Sequence, residues 1–269
     1  MKSTIGAINV HFERDVESHL ENILNKSIDI YSRVIHNRKL FFLPFILLML
    51  GSLLLTLFPY GPVFAGANFL RFDLYPETSF VLFVGILFAL ICMFSYCMTL
   101  LMAATSSYLQ RGRLEFAVHD PVGKFLSILG SYFILFVTAS TMSLVIVWIQ
   151  ALDFGILTFF VKLTILLIWF GIFLIFWFTP QAIVVDDRSL ASAMSASTKF
   201  MKLDFHFIMT FLFFATIIMG VLYILGSIHI SLSIIVYVIN FMVLLPLLII
   251  IQTVIYLTRY TLRRISVEE

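Results

Sequence analysis

Six apolar stretches carry no Asp, Glu, Lys or Arg: Leu40–Phe58, Phe80–Leu101, Phe125–Ile149, Leu163–Thr179, Phe205–Leu225 and Leu232–Leu257. Each approaches the roughly 20 residues that a helix needs to cross a bilayer. Segments of this length and apolarity leave few choices, because a backbone in hydrocarbon must satisfy its own hydrogen bonds, and a helix does so within one segment. The expected fold class is therefore all-α, a polytopic integral membrane protein with six transmembrane helices. The composition agrees: of 269 residues 61% are hydrophobic and 12% charged, and mean hydropathy is +1.07. A soluble domain needs far more polar surface. The 30 Phe and ten Tyr suit gaps between membrane helices and the interfaces at their ends.

Two connections are short, residues 150–155 between spans three and four and Gly226–Ser231 between five and six, which predicts antiparallel hairpins. All but Arg71 and Lys162 of the 17 Lys and Arg collect on one side of this layout. Cations resist translocation, so the crowded side is expected to be cytoplasmic, with both termini there, in a multi-pass protein of the cell membrane. Lys162 is expected at the outer end of span four, its stem along lipid and its ammonium in water. The first 36 residues are polar and charged, which predicts no cleavable leader. Three regions follow: a cytoplasmic segment over 1–39, a six-helix membrane domain over 40–258 and a short basic tail over 259–269.

Amphipathic segments precede spans one and five. Val16, Leu20, Ile23, Leu24, Tyr31, Val34 and Ile35 recur on one helical face, and Leu190, Ala193, Met194, Ser197, Phe200 and Met201 form another. Both are expected as helices on the inner leaflet, the second ending on Lys199 and Lys202 where cations suit a helix C-terminus. Before span three, Asp120 and Pro121 have the chemistry of a helix start, a third candidate. The chain then reads as three units, each an inner amphipathic segment and a hairpin. Residue identities between the units are poor, and any membrane hairpin with a basic inner loop gives a similar layout.

The run Thr179-Pro180-Gln181-Ala182-Ile183-Val184-Val185-Asp186-Asp187, continued by Ser189 to Ser197, Lys199 and Lys202 to Phe205, resembles a family pattern. So does Ile30 to Pro44 at the start of span one. Both are similar to the membrane domain fused to some glycerophosphoryl diester phosphodiesterases and to its stand-alone bacterial and archaeal relatives. The resemblance implies a span ended by Pro, an acidic turn and a small-residue helix leading into the next span. It implies no catalysis, since the phosphodiesterase chemistry of such fusions belongs to a separate barrel with a His-Arg-Gly signature that this chain lacks.

No zinc-hydrolase, nucleophile-elbow, phosphate-loop or phosphatidyltransferase motif occurs, so no catalytic residue, metal ligand or cofactor is expected. His119 beside Asp120 reads as a cap or a headgroup contact, and His206 and His229 as interface residues at opposite ends of span five. Cys92 and Cys97, five apart on one helix, face different directions and are expected as free thiols. The net charge of +2 gives no reason to expect nucleic acid. Ion-coupled carriers usually hold a charge inside the bilayer despite a cost of about 2.5–3.5 kcal/mol. Charge-free spans argue against such coupling and leave two candidate regions.

One is intramembrane and polar: Asn240, Gln252, Ser95 and Thr99, with Tyr96, Thr138, Thr141 and Ser143 as further lining. Asn240 stands out, because an amide at that depth needs a partner and Pro246 frees a carbonyl nearby. Against this, Ser and Thr in membrane helices commonly bond back to their own helix. The other is the basic face, where Arg33, Arg38, Lys39, Arg111, Arg113, Lys199, Lys202, Arg263 and Arg264 could meet anionic lipid headgroups. The positive-inside rule places the same cations with no ligand at all. Membrane lipids, and a membrane or cytoplasmic protein, are the expected partners. A non-enzymatic module organising lipid or a partner is the first functional reading, and a transporter or flippase for a neutral or lipid-like substrate the second.

Overall fold

A computed structural model of the chain describes residues 21–36, 42–55, 76–114, 121–152 and 155–261. These residues form helices and a few turns, with no strand among them. In chain order they are α1 (21–36), α2 (Leu43–Leu55), α3 (Pro76–Arg111), α4 (Pro121–Leu152), α5 (Ile156–Trp177), α6 (Thr179–Val185), α7 (Leu190–Leu203), α8 (Phe205–Ile228), α9 (Ile230–Ile239) and α10 (Leu245–Ile255). Wider π-helical turns cover Asn240–Leu244 and Tyr256–Thr261.

Five helical stretches are long and apolar enough to cross a membrane: Val81–Arg111, Pro121–Ile146, Ile156–Val185, Phe205–Ile228 and Ser231–Thr258. The sixth expected span appears as α2, whose 13 described residues would rise about 20 Å against a hydrocarbon layer of about 30 Å. The remainder of that expected span lies outside the described residues.

Three pairs pack side by side, α2 on α3, α4 on α5 and α8 on α9. Gly155, at φ 59°, is the positive-φ residue that precedes α5. The α8–α9 turn is the single extended residue His229, whose Nδ1 accepts the Ser231 N–H at 3.2 Å. α5 begins seven residues earlier than the expected span, so Lys162 lies inside the helix, about 9 Å along it from Ile156. The apolar window was drawn to avoid the charge, whereas a long Lys stem lets the helix continue through it.

Burial is concentrated at the end of the bundle where the cations collect. Leu101 and Met102 of α3, Ile128 of α4, Ile183 of α6, Phe200 of α7 and Ile250 of α10 are all fully enclosed there. At the opposite end Ile156 is 79% exposed and Tyr223 78%.

The short helices account for the packed end. On α1, Ile23, Ser27, Ile30 and Val34 face the bundle, Leu24, Ile28 and Ile35 form an adjacent exposed apolar strip, and Asn22, Asn25, Asp29, Arg33 and His36 occupy the remaining arc. The expected single apolar face is thus two strips. The fully buried Ile30 belongs to the strip that meets protein, whereas Leu24 and Ile35 are exposed. Val16 and Leu20 lie outside the described residues. On α7 the buried face is Ala193, Ala196, Ser197, Phe200 and Met201, and its small residues let α6 approach closely.

Between α5 and α6 the helix breaks at Phe178, because Pro180 offers no N–H to the preceding turn. Ser197 Oγ accepts the Phe178 N–H at 3.2 Å, and the Phe178, Phe200 and Tyr256 rings pack together with centroids 4.8–6.3 Å apart. α4 starts at Pro121 and runs unbroken into its span, so the third amphipathic candidate is the first turn of the span itself; residues 115–120 lie outside the described residues.

Candidate functional site

The last long helix stack sets the geometry of an intramembrane cleft. Pro246 has no N–H, so the Met242 carbonyl four residues earlier loses its α-helical donor. The chain widens over Asn240–Leu244, and the Leu245 N–H bonds instead to the Asn240 carbonyl five residues back. Met242 O is recovered by α1, whose Tyr31 hydroxyl donates to it at 2.7 Å. An unmatched carbonyl in hydrocarbon costs several kcal/mol, of order 2–7 by transfer data, so this bond binds α1 to the span. Burial raises the Tyr31 phenol above its ordinary pKa and keeps the proton that the bond requires.

The widened turn presents Asn240, Phe241 and Leu245 to a cleft of about 520 Å³. Leu48 and Ser52 of α2 line it on one side, Leu87, Leu90 and Phe94 of α3 on another, and Tyr132 and Phe136 of α4 and Met219 of α8 complete the rim. Phe136 and Met219 are about two-fifths exposed, so the cleft opens sideways between the hairpins. Asn240 is nine residues from Ser231, about 14 Å along the helix and close to mid-depth for a layer of about 30 Å.

Three polar side chains reach this cleft. Ser52 is engaged, donating to Met49 O at 3.0 Å and pairing with the Tyr237 hydroxyl. Tyr132 sets its ring against Phe94 edge-on at 5.0 Å. The Asn240 Oδ1 is buried with no hydrogen-bond partner. Among the described residues no Lys, Arg, His, Asp or Glu borders the cleft.

The other intramembrane candidates do not join Asn240. Gln252 lies twelve residues further along the stack, about 18 Å away, where its Oε1 accepts from Gln181 Nε2 at 3.2 Å inside the packed end. Ser95 and Thr99 are buried and donate back along their own helix to the Ile91 and Ser95 carbonyls, each at 2.8 Å. Thr138 and Thr141 do the same to Ile134 and Val137, and Tyr96 is exposed.

At the basic end, part of the charge is used for stitching. Lys124 is buried and donates to Val184 O at 3.2 Å while pairing with Asp187 at 3.0 Å, which binds the first turn of α4 to the turn after α6. Asp186 accepts from the Tyr256 hydroxyl at 2.7 Å and pairs with Arg188 at 3.3 Å. Arg33 forms an exposed pair with Asp29 at 2.9 Å, which raises the Arg33 pKa, and its guanidinium lies 5.3 Å from the centre of the Tyr108 ring. Arg111 and Arg113 are exposed at the end of α3. Lys199 and Lys202 are exposed on α7 and have no acidic partner among the described residues. Lys202 borders a groove of about 380 Å³ floored by Leu174, Ile175, Met201 and Phe205. Arg38, Lys39, Arg263 and Arg264 lie outside the described residues.

Sequence reasoning missed Tyr31, Tyr132, Gln181 and the Lys124–Asp187 pair. Pro246 pointed to an orphan carbonyl, but nothing local to α1 marks its hydroxyl as the donor. Tyr132 is one aromatic among many. Both cysteines are free thiols, and among the described residues no three His, Cys, Asp or Glu cluster closely enough for a metal. No family model, curated protein or solved structure matches the chain.

Proposed function

We propose that the chain is a six-span module of the cell membrane, both termini cytoplasmic, that holds lipid without transforming it. The observation that supports the reading is an apolar cleft about halfway along the last long helix stack, open sideways, with no charged residue among the described ones that line it. Lipid reaches such a cleft without leaving the bilayer. The two apolar strips of α1 support the rest: one meets protein, the other suits lipid, and the polar arc suits water, as for a helix lying in the inner interface. The unpaired Lys199 and Lys202, with Arg33, Arg111 and Arg113 nearby in the layout, suit anionic headgroups at about 1 kcal/mol each, and Arg38, Lys39, Arg263 and Arg264 extend the same proposal. Kinship with the membrane domain of glycerophosphoryl diester phosphodiesterases, on the strength of 179–205 and Ile30 to Pro44, belongs to it too.

Release of lipid to the other leaflet, the flippase reading, is favoured by one feature, the π-turn in the cleft wall. The packed end that closes the bundle beyond Gln252 speaks against a continuous path. Native mass spectrometry of protein extracted from membranes tests the main reading. Wild type should carry lipid that Leu87→Trp, which fills the cleft, displaces without loss of thermal stability. Equal lipid retention in both would place the lipid elsewhere and remove the cleft from the proposal.

A further inference from the structure

Three polar groups border the cleft, and they differ in what they have left to offer. Ser52 is spent on Met49 and Tyr237. The Asn240 Oδ1 is an acceptor without a donor. The Tyr132 hydroxyl has no hydrogen-bond partner among the described residues, and so has a donor to give. An orphaned amide oxygen at this depth costs about as much as a lost hydrogen bond, and a guest that matches it gains the same amount.

Resting on the lipid-holding reading, we infer that the cleft selects an uncharged lipid with a free hydroxyl group, the chemistry of a diacylglycerol. A hydroxyl donates to Asn240 Oδ1 and accepts from Tyr132, whereas an ester carbonyl only accepts, so it can take an N–H from Asn240 Nδ2 but leaves Oδ1 unmatched. A phosphate is disfavoured for a separate reason. Among the described residues no cation borders the cleft, and burying an unpaired charge in hydrocarbon is expensive. The remaining walls, Leu48, Leu87, Leu90 and Phe241, suit acyl chains.

The test uses the full chain in nanodiscs of dioleoylphosphatidylcholine, doped at equal mole fraction with either of two photoactivatable probes. One is a diacylglycerol with a diazirine in its acyl chain, the other a phosphatidylcholine with the same chain. Labelling of cleft peptides is read by mass spectrometry. The diacylglycerol should label the cleft about fivefold more than the phosphatidylcholine, the order expected of one net hydrogen bond. Asn240→Leu should abolish that preference. Tyr132→Phe, which keeps the ring on Phe94 and deletes only the hydroxyl, should reduce it while labelling by phosphatidylcholine stays constant. Equal labelling by the two probes in wild type, or a preference untouched by both variants, would overturn hydroxyl selection and leave the lipid-holding reading standing. Absence of cleft labelling by either probe would overturn both.

Discussion

Tyr31→Phe deletes one oxygen and leaves the Met242 carbonyl, already deprived of a helical donor by Pro246, with no replacement. The expected loss is about 1–3 kcal/mol, the range for a buried group left unmatched, seen as a lower unfolding temperature in detergent. An unchanged temperature would mean that the π-turn satisfies Met242 by other means. Lys124 allows a sharper comparison, because its two partners differ in exposure. Asp187 is 65% exposed but Lys124 only 10%, so Asp187→Asn, which keeps a polar group beside a largely buried ammonium, should cost about 1 kcal/mol, the upper end for exposed pairs. Lys124→Met also removes the donor to Val184 O and should cost about 1–3 kcal/mol. Equal costs would show that the ion pair, and not the backbone bond, holds α4 to the acidic turn. Individual bonds of this kind were poorly legible in the sequence: Lys124 reads as one more inner cation, and Gln181 as part of a motif, until the fold brings Val184 and Gln252 to them.

Among the elements, the α2–α3 pair depends on Gly51, since a β-carbon there would lie 2.6 Å from Leu90 Cδ2. Leu90 also lines the cleft, so the contact sets both hairpin and wall. Gly51→Leu should force the helices apart, with a stability loss of about 1–3 kcal/mol as for other overpacked sites and reduced lipid retention, whereas Gly51→Ala should be milder because a Leu side chain can rotate away. Retained lipid and stability in Gly51→Leu would show that α2 is not a fixed wall. Five of the six expected spans, and the α4–α5 and α8–α9 pairs, were readable in advance, because apolar length and short polar connections act locally. Their limits were not: helix geometry carries α5 past Lys162 and α3 to Arg111, since a long basic side chain at a helix end needs no break in the ladder. The two-strip surface of α1 was equally hidden, because a list of apolar residues does not say which half meets protein and which meets lipid.

For the whole molecule, the asymmetry between a packed basic end and a splayed opposite end is the main product of folding. The short helices α1, α6 and α7 supply much of the buried core at the packed end, and among the described residues no such helix covers the opposite end. No residue pattern announces such a cleft, since its walls are as apolar as the lipid-facing surface. The proposed orientation has a direct check in a background lacking Cys92 and Cys97. A cysteine at Ser192, exposed on α7, should react with a membrane-impermeant maleimide only after the inner face is opened, and one at Asn68 should react in intact cells. The reverse pattern would invert the topology.

The bond from Tyr31 to Met242 joins positions 211 residues apart, the first described helix to the last long one. A ribosome therefore makes the donor long before the acceptor. Through most of synthesis α1 can rest on the growing bundle but cannot close its bond to the missing helix, and the cleft lacks the wall that carries Asn240. Arrival of the final hairpin then does two things together: it supplies the carbonyl that fastens the earliest helix, and it completes the cavity. An assembly factor that recognises an unfastened α1 would thereby distinguish a nascent chain from a finished one.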